Sequence, residues 1–380
     1  MGKKVLFCAS TLSHLRQFHR PYLQAFAQAG WEVWAAAEQT GELPWAHRVV
    51  ALPLRKRFTS PKNLQAVLAA RRLLARERFD LVSVHTALAG AVVRAAAWTL
   101  PRRPSICYTC HGYLFREQDG LKKWPYLLPE ILCAPVTGLL LVMNGEDEQI
   151  ARGRHLGKVI RRIDGMGFDG DRFFPLDAER RAEGRIRWGF APQEVVFVYA
   201  AEFSPRKNQS LVLRAFARAG MENARLVLAG EGALREACIQ LAEQLGLADR
   251  VLFPGRVDTA DLLGLCDVVV SGSRSEGLPF HLMEGMSCGL PAVVTDVKGH
   301  RELVEPEKTG LICPPEDEVS MAVSMARLAK APDVRRAWGM AAREHSRRYT
   351  RQQVVPQVLG EYQRWLSGLE GGGECPKFRY

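Results

Sequence analysis

Short, continuous apolar runs alternate with longer stretches of helical periodicity along most of the chain. Val5 to Ala9 is such a run, the mark of a parallel strand buried on both faces. From His14 to Ala29 the apolar side chains Leu15, Phe18, Tyr22 and Phe26 recur every three or four positions. Gly30 closes the segment, which predicts one helix and its stop. A strand at Glu32 to Ala37 follows at once. The same reading predicts a helix from about Pro61 to Arg78, a strand Leu81 to His85, a helix Leu88 to Trp98, and strands Ser105 to Thr109 and Leu139 to Met143. Such regular alternation implies a parallel sheet covered on both faces, because parallel neighbours are joined by crossovers.

The alternation stops between Ile163 and Leu176, where three glycines, three aspartates and a proline crowd one segment and predict a linker. It then restarts. Strands are expected at Val195 to Tyr199, Arg225 to Ala229, Val251 to Phe253, Asp267 to Val270 and Ala292 to Thr295. Helices are expected at Asn208 to Ala219, Ala233 to Leu245 and Pro279 to Cys288, then from Glu316 to about Arg348 and from Gln352 to Leu366. The expected architecture is α/β, with two Rossmann-like doubly wound parallel-sheet domains facing a central cleft. They span 1–165 and 166–350; 351–367 forms a C-terminal helix packing back on the first, and 368–380 a flexible tail.

Composition narrows the class. A chain of 380 residues, 47% apolar and 24% charged, suits two globular domains and excludes a disordered or fibrous protein. The N-terminus lacks the apolar core and cleavage site of a secretory signal, and the longest greasy stretches, such as Val136 to Met143, are too short to span a bilayer. Nine scattered cysteines, an odd number, fit a reducing compartment, and the Cys107 and Cys110 pair lacks the partners that would complete a zinc site. The expected location is the cytoplasm. Charge adds a partner. Of 52 basic and 41 acidic residues, the first 180 positions hold 26 and 16, leaving 26 and 25 for the rest. The net +11 therefore belongs almost wholly to the first half, as expected of a surface facing a polyanion or an anionic membrane.

Open α/β sheets bind ligands beyond the carboxyl ends of their strands. There lie Ser10 to His14, His85 and Thr86, His111 and Gly112, Glu202 to Lys207, Gly230 to Gly232, and Ser271 to Pro279. In Ser271 to Asp296, Glu276 sits in the loop after an apolar strand and Pro279 is placed at the first helical position. Glu284 is then about 7–8 Å along the helix axis, so two carboxylates would accept hydroxyls from separate parts of an extended ligand. The helix N-terminus and the amides around Gly277 favour an anion nearby.

The segment E-G-L-P-F-H-L-M-E-G-M-S-C-G-L-P-A-V resembles the Glu-x7-Glu signature of family 4 retaining glycosyltransferases, and the two-domain layout is similar to their GT-B fold. F-C-A-S-T-L-S-H-L-R-Q-F-H-R-P-Y, F-D-L-V-S-V-H-T and Y-T-C-H-G-Y-L-F resemble the capsular and exopolysaccharide branch. The likeness runs to about Leu366. It implies an acceptor-binding first domain, a nucleotide-sugar-binding second domain, and metal-independent transfer from a nucleotide sugar, UDP-linked in the first instance, to a polyprenyl-diphosphate-linked saccharide at the inner membrane face. No cofactor is implied. On the matched positions, Lys207 is the phosphate-binding lysine with Arg206 beside it, and His111 lies near the donor sugar and reacting centre. Gly230, Gly255 and Arg256 flank the nucleotide, while Glu276, Gly277, Leu278, Pro279 and Glu284 form the signature loop and helix. The catalytic assignments are His111, Glu276 and Lys207. The chain departs from many members at Glu202, where they carry arginine.

The acceptor side is drawn from the basic first half. His14 is a candidate contact there, and His85 is read as packing. Arg55, Lys56, Arg57, Lys62, Arg71, Arg72, Arg76 and Arg78 are opposed in their segment only by Glu77, beside an apolar stripe of Leu64, Val67, Leu68, Leu73 and Leu74. Lys122, Lys123 and Trp124 suit a headgroup boundary. Two other classes stand beside this one: a nucleotide-sugar epimerase on the same fold, and a nucleic-acid-binding protein, for which no recognised motif is present.

Overall fold

Residue parity along the strands decides where each face packs. The structure, a computed structural model, describes residues 2–55, 60–369 and 378. It divides into two units, 1–167 joined by 352–380, and 168–351. In the first unit, β1 (Lys4–Cys8), β2 (Glu32–Ala37), β3 (Arg48–Ala51), β4 (Leu81–His85), β5 (Ser105–Thr109), β6 (Leu139–Val142) and β7 (Val159–Arg162) form a parallel sheet in the order β3-β2-β1-β4-β5-β6-β7. Along β4, Val82 and Val84 join the core under the helices Asn63–Glu77, Ala87–Trp98 and Trp124–Cys133. Ser83 and His85 point to the opposite face, where the Ser83 hydroxyl lies 2.6 Å from that of Tyr362 on the C-terminal helix Arg351–Leu369. A two-residue repeat thus sorts aliphatic from polar partners.

The predicted helix from His14 to Ala29 is two helices, Leu12–Phe18 and Arg20–Gln28, broken at His19. Pro21 explains the break: its ring forbids a continuous ladder but suits the first turn of a new helix. The stretch predicted as continuous from Glu316 likewise splits into Glu318–Lys330 and Pro332–Ser346 at Pro332.

The second unit contains β8 (Val195–Ala200), β9 (Ala224–Ala229), β10 (Val251–Gly255), β11 (Val268–Ser271), β12 (Ala292–Thr295) and β13 (Gly310–Cys313), parallel in the order β10-β9-β8-β11-β12-β13. Leu226, Leu228, Val268 and Val270 pack with Phe216 and Met325 in its core. The chain's two crossings run side by side, because the Phe168 amide donates to Tyr349 and the Arg351 amide to Phe168, at 3.1 and 2.8 Å. All eight cysteines among the described residues for which a thiol is recorded are buried and free.

Candidate functional site

In the second sheet the chain winds outward from β8 and returns at β11, which makes the gap beyond their carboxyl ends a topological switch point. The loops after these strands carry Arg206, Lys207 and Glu276. Lys207 Nζ lies 2.6 Å from Glu276 Oε1 and Arg206 Nη1 2.9 Å from Oε2. Ser273 adds a hydroxyl donated to Oε1 at 2.6 Å. Burial alone would raise the Glu276 pKa, but the two cations outweigh it and hold the carboxyl well below its usual range. Burial pulls the Lys207 ammonium down, against the carboxylate that favours its charge. Two cations around one anion leave this pocket of side chains with net positive charge. Arg206 is exposed while Lys207 and Glu276 are nearly buried, so an incoming anion meets the guanidinium first.

The neighbouring turns are fixed to this loop through the backbone. The Phe203 amide donates to Glu231 at 2.9 Å, and the Gly230 amide to Gly255 at 2.7 Å. Gly230 has φ +137°, and a Cβ there would lie 2.2 Å from the Ala201 carbonyl oxygen. Gly232, at φ +153°, would collide with Phe203 in the same way. The turns after β8, β9 and β10 are therefore packed backbone against backbone, with the Glu231 carboxylate lying over Gly255 and exposed Arg256 just beyond it.

Glu276, Gly277, Leu278 and Pro279 lead into the helix Phe280–Ser287. Pro279 is not the first helical residue, as expected from the sequence, but the N-cap, with extended ψ of 121°. The following Phe280 opens the helix, so Pro279 turns the chain rather than starting the ladder. Glu284 stands one turn on and is separate from the Glu276 cluster: its neighbours are Arg172, Thr259, Asp258 and Arg351. Burial lifts its carboxyl to about 7, with Arg172 and a hydrogen bond from Thr259 acting the other way. The two signature carboxylates thus differ in kind, one ionised in a cationic nest and one near its titration point.

Sequence reasoning missed three supports of this site. Tyr199, at the end of β8, lies within 2.8 Å of Ser273 and donates to the Lys207 carbonyl at 2.9 Å. His281 and His300 are buried beside the cluster, and both bear on the Glu276 charge. Tyr199 sits in an apolar strand run where it reads as core; the spacing carried no hint of its hydroxyl's task. Glu202 is exposed, and its carbonyl accepts from Gln209 at 3.0 Å. Arg206 occupies the Glu276 carboxylate.

In the first sheet the corresponding switch point lies between β1 and β4. Ser10 after β1 and Thr86 after β4 are joined hydroxyl to hydroxyl at 2.6 Å, and the Ser10 amide donates to Thr86 at 3.2 Å. Thr86 has φ +68° and ψ 148°, a region costing a β-branched residue on the order of 1–3 kcal/mol. This pinned junction gathers His14, His19, His85 and His111. Ring centroids are 4.7 Å apart for His14 and His111 and 3.8 Å for His19 and His85. Of these, His19 was not singled out from the sequence, where it reads as a polar position within a continuous helix.

The basic and apolar surface is divided more finely than the sequence implied. Leu73 and Leu74 are core residues, whereas Leu64 and Leu68 are exposed, together with Arg55, Lys62, Arg71, Arg72, Arg76 and Arg78. The helix Trp124–Cys133 buries Leu127, Glu130 and Cys133 and exposes Trp124, Tyr126, Leu128 and Leu132. Its inner face is fixed by Glu130, which receives the fully buried Arg94 at 2.8 Å. Lys122 is exposed, but Lys123 is turned onto Glu117 at 2.7 Å, in a group that Arg154 also joins. Lys56 and Arg57 lie outside the described residues.

Residues 181–345 match the family model described as glycosyl transferases group 1, and residues 17–152 match the glycosyl transferase 4-like domain. The chain is 32% identical over 372 residues to a Bacillus subtilis protein named as glycosyltransferase EpsD, covering 96% of this chain and 98% of that one. It is 27% identical over 276 residues to an Escherichia coli protein named UDP-Gal:alpha-D-GlcNAc-diphosphoundecaprenol alpha-1,3-galactosyltransferase, covering 70% of each. Among solved structures, Anabaena HepE in complex with UDP and glucose superimposes with a TM-score of 0.78 at 20% identity, over 95% of this chain and 100% of that one.

Proposed function

The chain belongs to the family 4 glycosyltransferases of GT-B fold, and from that premise we propose that it moves a sugar from a UDP-linked donor to a polyprenyl-diphosphate-linked saccharide with retained anomeric configuration. The setting we assign is capsule or exopolysaccharide synthesis at the inner face of the cell membrane. The observation that carries this reading is the net-positive cluster of Arg206, Lys207 and Glu276 at the switch point of the second sheet. Breaking the bond between sugar and nucleotide builds charge on the leaving diphosphate, and positioned cations and amides lower that barrier. Arg206 and Lys207 supply the cations, and the N-terminus of the helix Phe280–Ser287 supplies a dipole. A divalent ion is not needed for that step.

The other assignments follow from chemistry and resemblance. Glu284 accepts the ribose hydroxyls of the donor, Gly230 and Gly255 allow the nucleotide to approach the backbone, and Arg256 lies on the base side. Glu276 serves the sugar end and His111 the reacting centre. UDP in the HepE complexes and the diphosphoundecaprenol in the Escherichia coli relative's name support the two substrate classes. No helix among the described residues is long and apolar enough to cross a membrane. We therefore assign membrane attachment to the surface: the basic helix Asn63–Glu77, with Arg55 before it, and the exposed Lys122, Trp124 and Leu128 meet anionic headgroups. His14 belongs to the acceptor side.

The test is product analysis with a UDP-hexose and a polyprenyl-diphosphate disaccharide. Sugar passing into the solvent-extractable lipid, with the donor's anomeric configuration by NMR, is the expected result. An isomerised nucleotide sugar without lipid product would favour an epimerase, and salt-sensitive RNA binding without UDP binding would favour a nucleic-acid protein.

A further inference from the structure

Between the segments that leave β5 and β6, the first unit carries a basin of about 640 Å³ that the donor site does not use. One wall is the segment Glu117–Lys123, on the loop that leaves β5 through His111; the other is the helix Gly145–Gly153, which follows β6. The walls are clamped at both ends. At one, the buried Asp147 carboxylate accepts from the Tyr113 amide at 3.2 Å and from the Asn144 side chain at 2.7 Å. At the other, Arg154 donates two nitrogens to the two Glu117 oxygens at 2.7 and 2.8 Å, and Lys123 adds a bond at 2.7 Å. The bonds from Arg154 and Lys123 hold the Glu117 carboxyl down to about 2, so it stays an ionised acceptor. Polar groups fixed in this way lose little freedom when a ligand binds.

The lining decides the class of ligand. Glu117 and Glu146 offer carboxylates, Gln118 and Gln149 offer amides that both donate and accept, Arg154 donates, and Ile150 adds an apolar patch. Two carboxylates against one guanidinium disfavour a phosphate, in contrast to the net-positive cluster of Arg206, Lys207 and Glu276. A neutral polyhydroxyl ligand finds both donors and acceptors here, and the volume falls within the about 300–1,000 Å³ of small-molecule sites. The loop sets a direction, since from His111 it passes the basin and reaches Lys122 and Trp124, the residues assigned to headgroups. From this arrangement we propose that the basin binds a sugar residue of the acceptor saccharide, with the lipid-linked end towards Trp124 and the growing end towards His111. The subsite rests on the proposed transfer to a lipid-linked saccharide and gives that acceptor its place on the first unit.

The experiment compares the full wild-type chain with a double variant, Gln118→Ala and Gln149→Ala, whose two positions are exposed. Initial rates are measured with a UDP-hexose and a polyprenyl-diphosphate disaccharide, and UDP affinity by calorimetry. Loss of both amides should raise the KM for the disaccharide carrier about tenfold and leave UDP affinity and melting temperature unchanged, a split that a general structural effect would not produce. Equal acceptor KM in the two proteins would overturn the subsite and leave the transfer reaction standing. Absence of transfer by the wild type would overturn the transfer reaction instead, and saturation-transfer NMR with free disaccharides of glucose and of N-acetylglucosamine then decides the subsite. Signal lost in the double variant supports a saccharide site; no signal in the wild type, or signal indifferent to the two changes, overturns it.

Discussion

Glu276 is nearly buried between two cations, so a change at any of the three charges acts on folding as well as on the proposed donor binding. Removing Lys207 leaves the buried carboxylate with Arg206, whose guanidinium is half exposed, as its remaining cation, so the loss falls below the about 3–5 kcal/mol of a buried pair left wholly unpartnered. Lys207→Ala should still lower the melting temperature, whereas the double variant Lys207→Met with Glu276→Gln should recover much of the loss; calorimetric melting of both decides it. Glu284 behaves oppositely. Its carboxyl titrates at about 7 in the folded chain against an ordinary 4.5, so folding favours its protonated form. That contribution is complete below about 4.5 and is lost as pH rises through about 7. Glu284→Gln should accordingly melt above the wild type at pH 8, with the gap closing towards pH 5. A gap that is constant with pH would show that Glu284 is solvated. The spacing of the two acids was legible in the sequence. Their unlike environments were not, because they depend on Lys207 from 69 positions away in one case and on Arg172 and Thr259 in the other.

At the scale of elements, the buried strands were legible because a run such as Val195 to Tyr199 has no other stable fate. The edge strands Arg48–Ala51, Val159–Arg162 and Gly310–Cys313 were not, since each is only four residues long and none is buried throughout. Helix breaks were misread at His19 and Ala331, where periodicity continues across a proline that restarts the ladder. Gly230 to Gly232, placed beyond a strand end from the sequence, follow β9, and the close approach of Ala201 and Phe203 leaves no room for a side chain at Gly230 or Gly232. Gly230→Ala should destabilise the chain by at least about 1 kcal/mol, seen as a fall in melting temperature of about 2–4 °C or more. The helix Trp124–Cys133 carries a separate expectation. Its inner face is held by Arg94 and Glu130, and its outer face exposes Trp124 and Leu128, the residues to which the proposed membrane attachment assigns lipid contact. Co-sedimentation with phosphatidylglycerol vesicles should fall when Trp124 and Leu128 are both changed to serine. It should also fall with salt, while zwitterionic vesicles bind little at any salt.

At the scale of the molecule, charge and fold divide along the same line. The first 180 residues carry nearly all of the excess positive charge, and the second unit sets two of its cations, Arg206 and Lys207, at one switch point. Topology puts the chemistry of both units in equivalent places, beyond the strands where the winding reverses. That is why loci at strand ends could be chosen from sequence, although the joining of Ser10 to Thr86 and of the four imidazoles needed the sheet order. Glu202, where the resemblance led to an arginine being expected, is exposed, and the arginine that reaches the Glu276 carboxylate is Arg206. The most direct test of the central claim is titration calorimetry of UDP into the wild type and into the Lys207→Met, Glu276→Gln double variant, each first confirmed to be folded. The account predicts a single UDP site in the wild type and at least a tenfold weaker one in the variant; equal affinity in the two would contradict it.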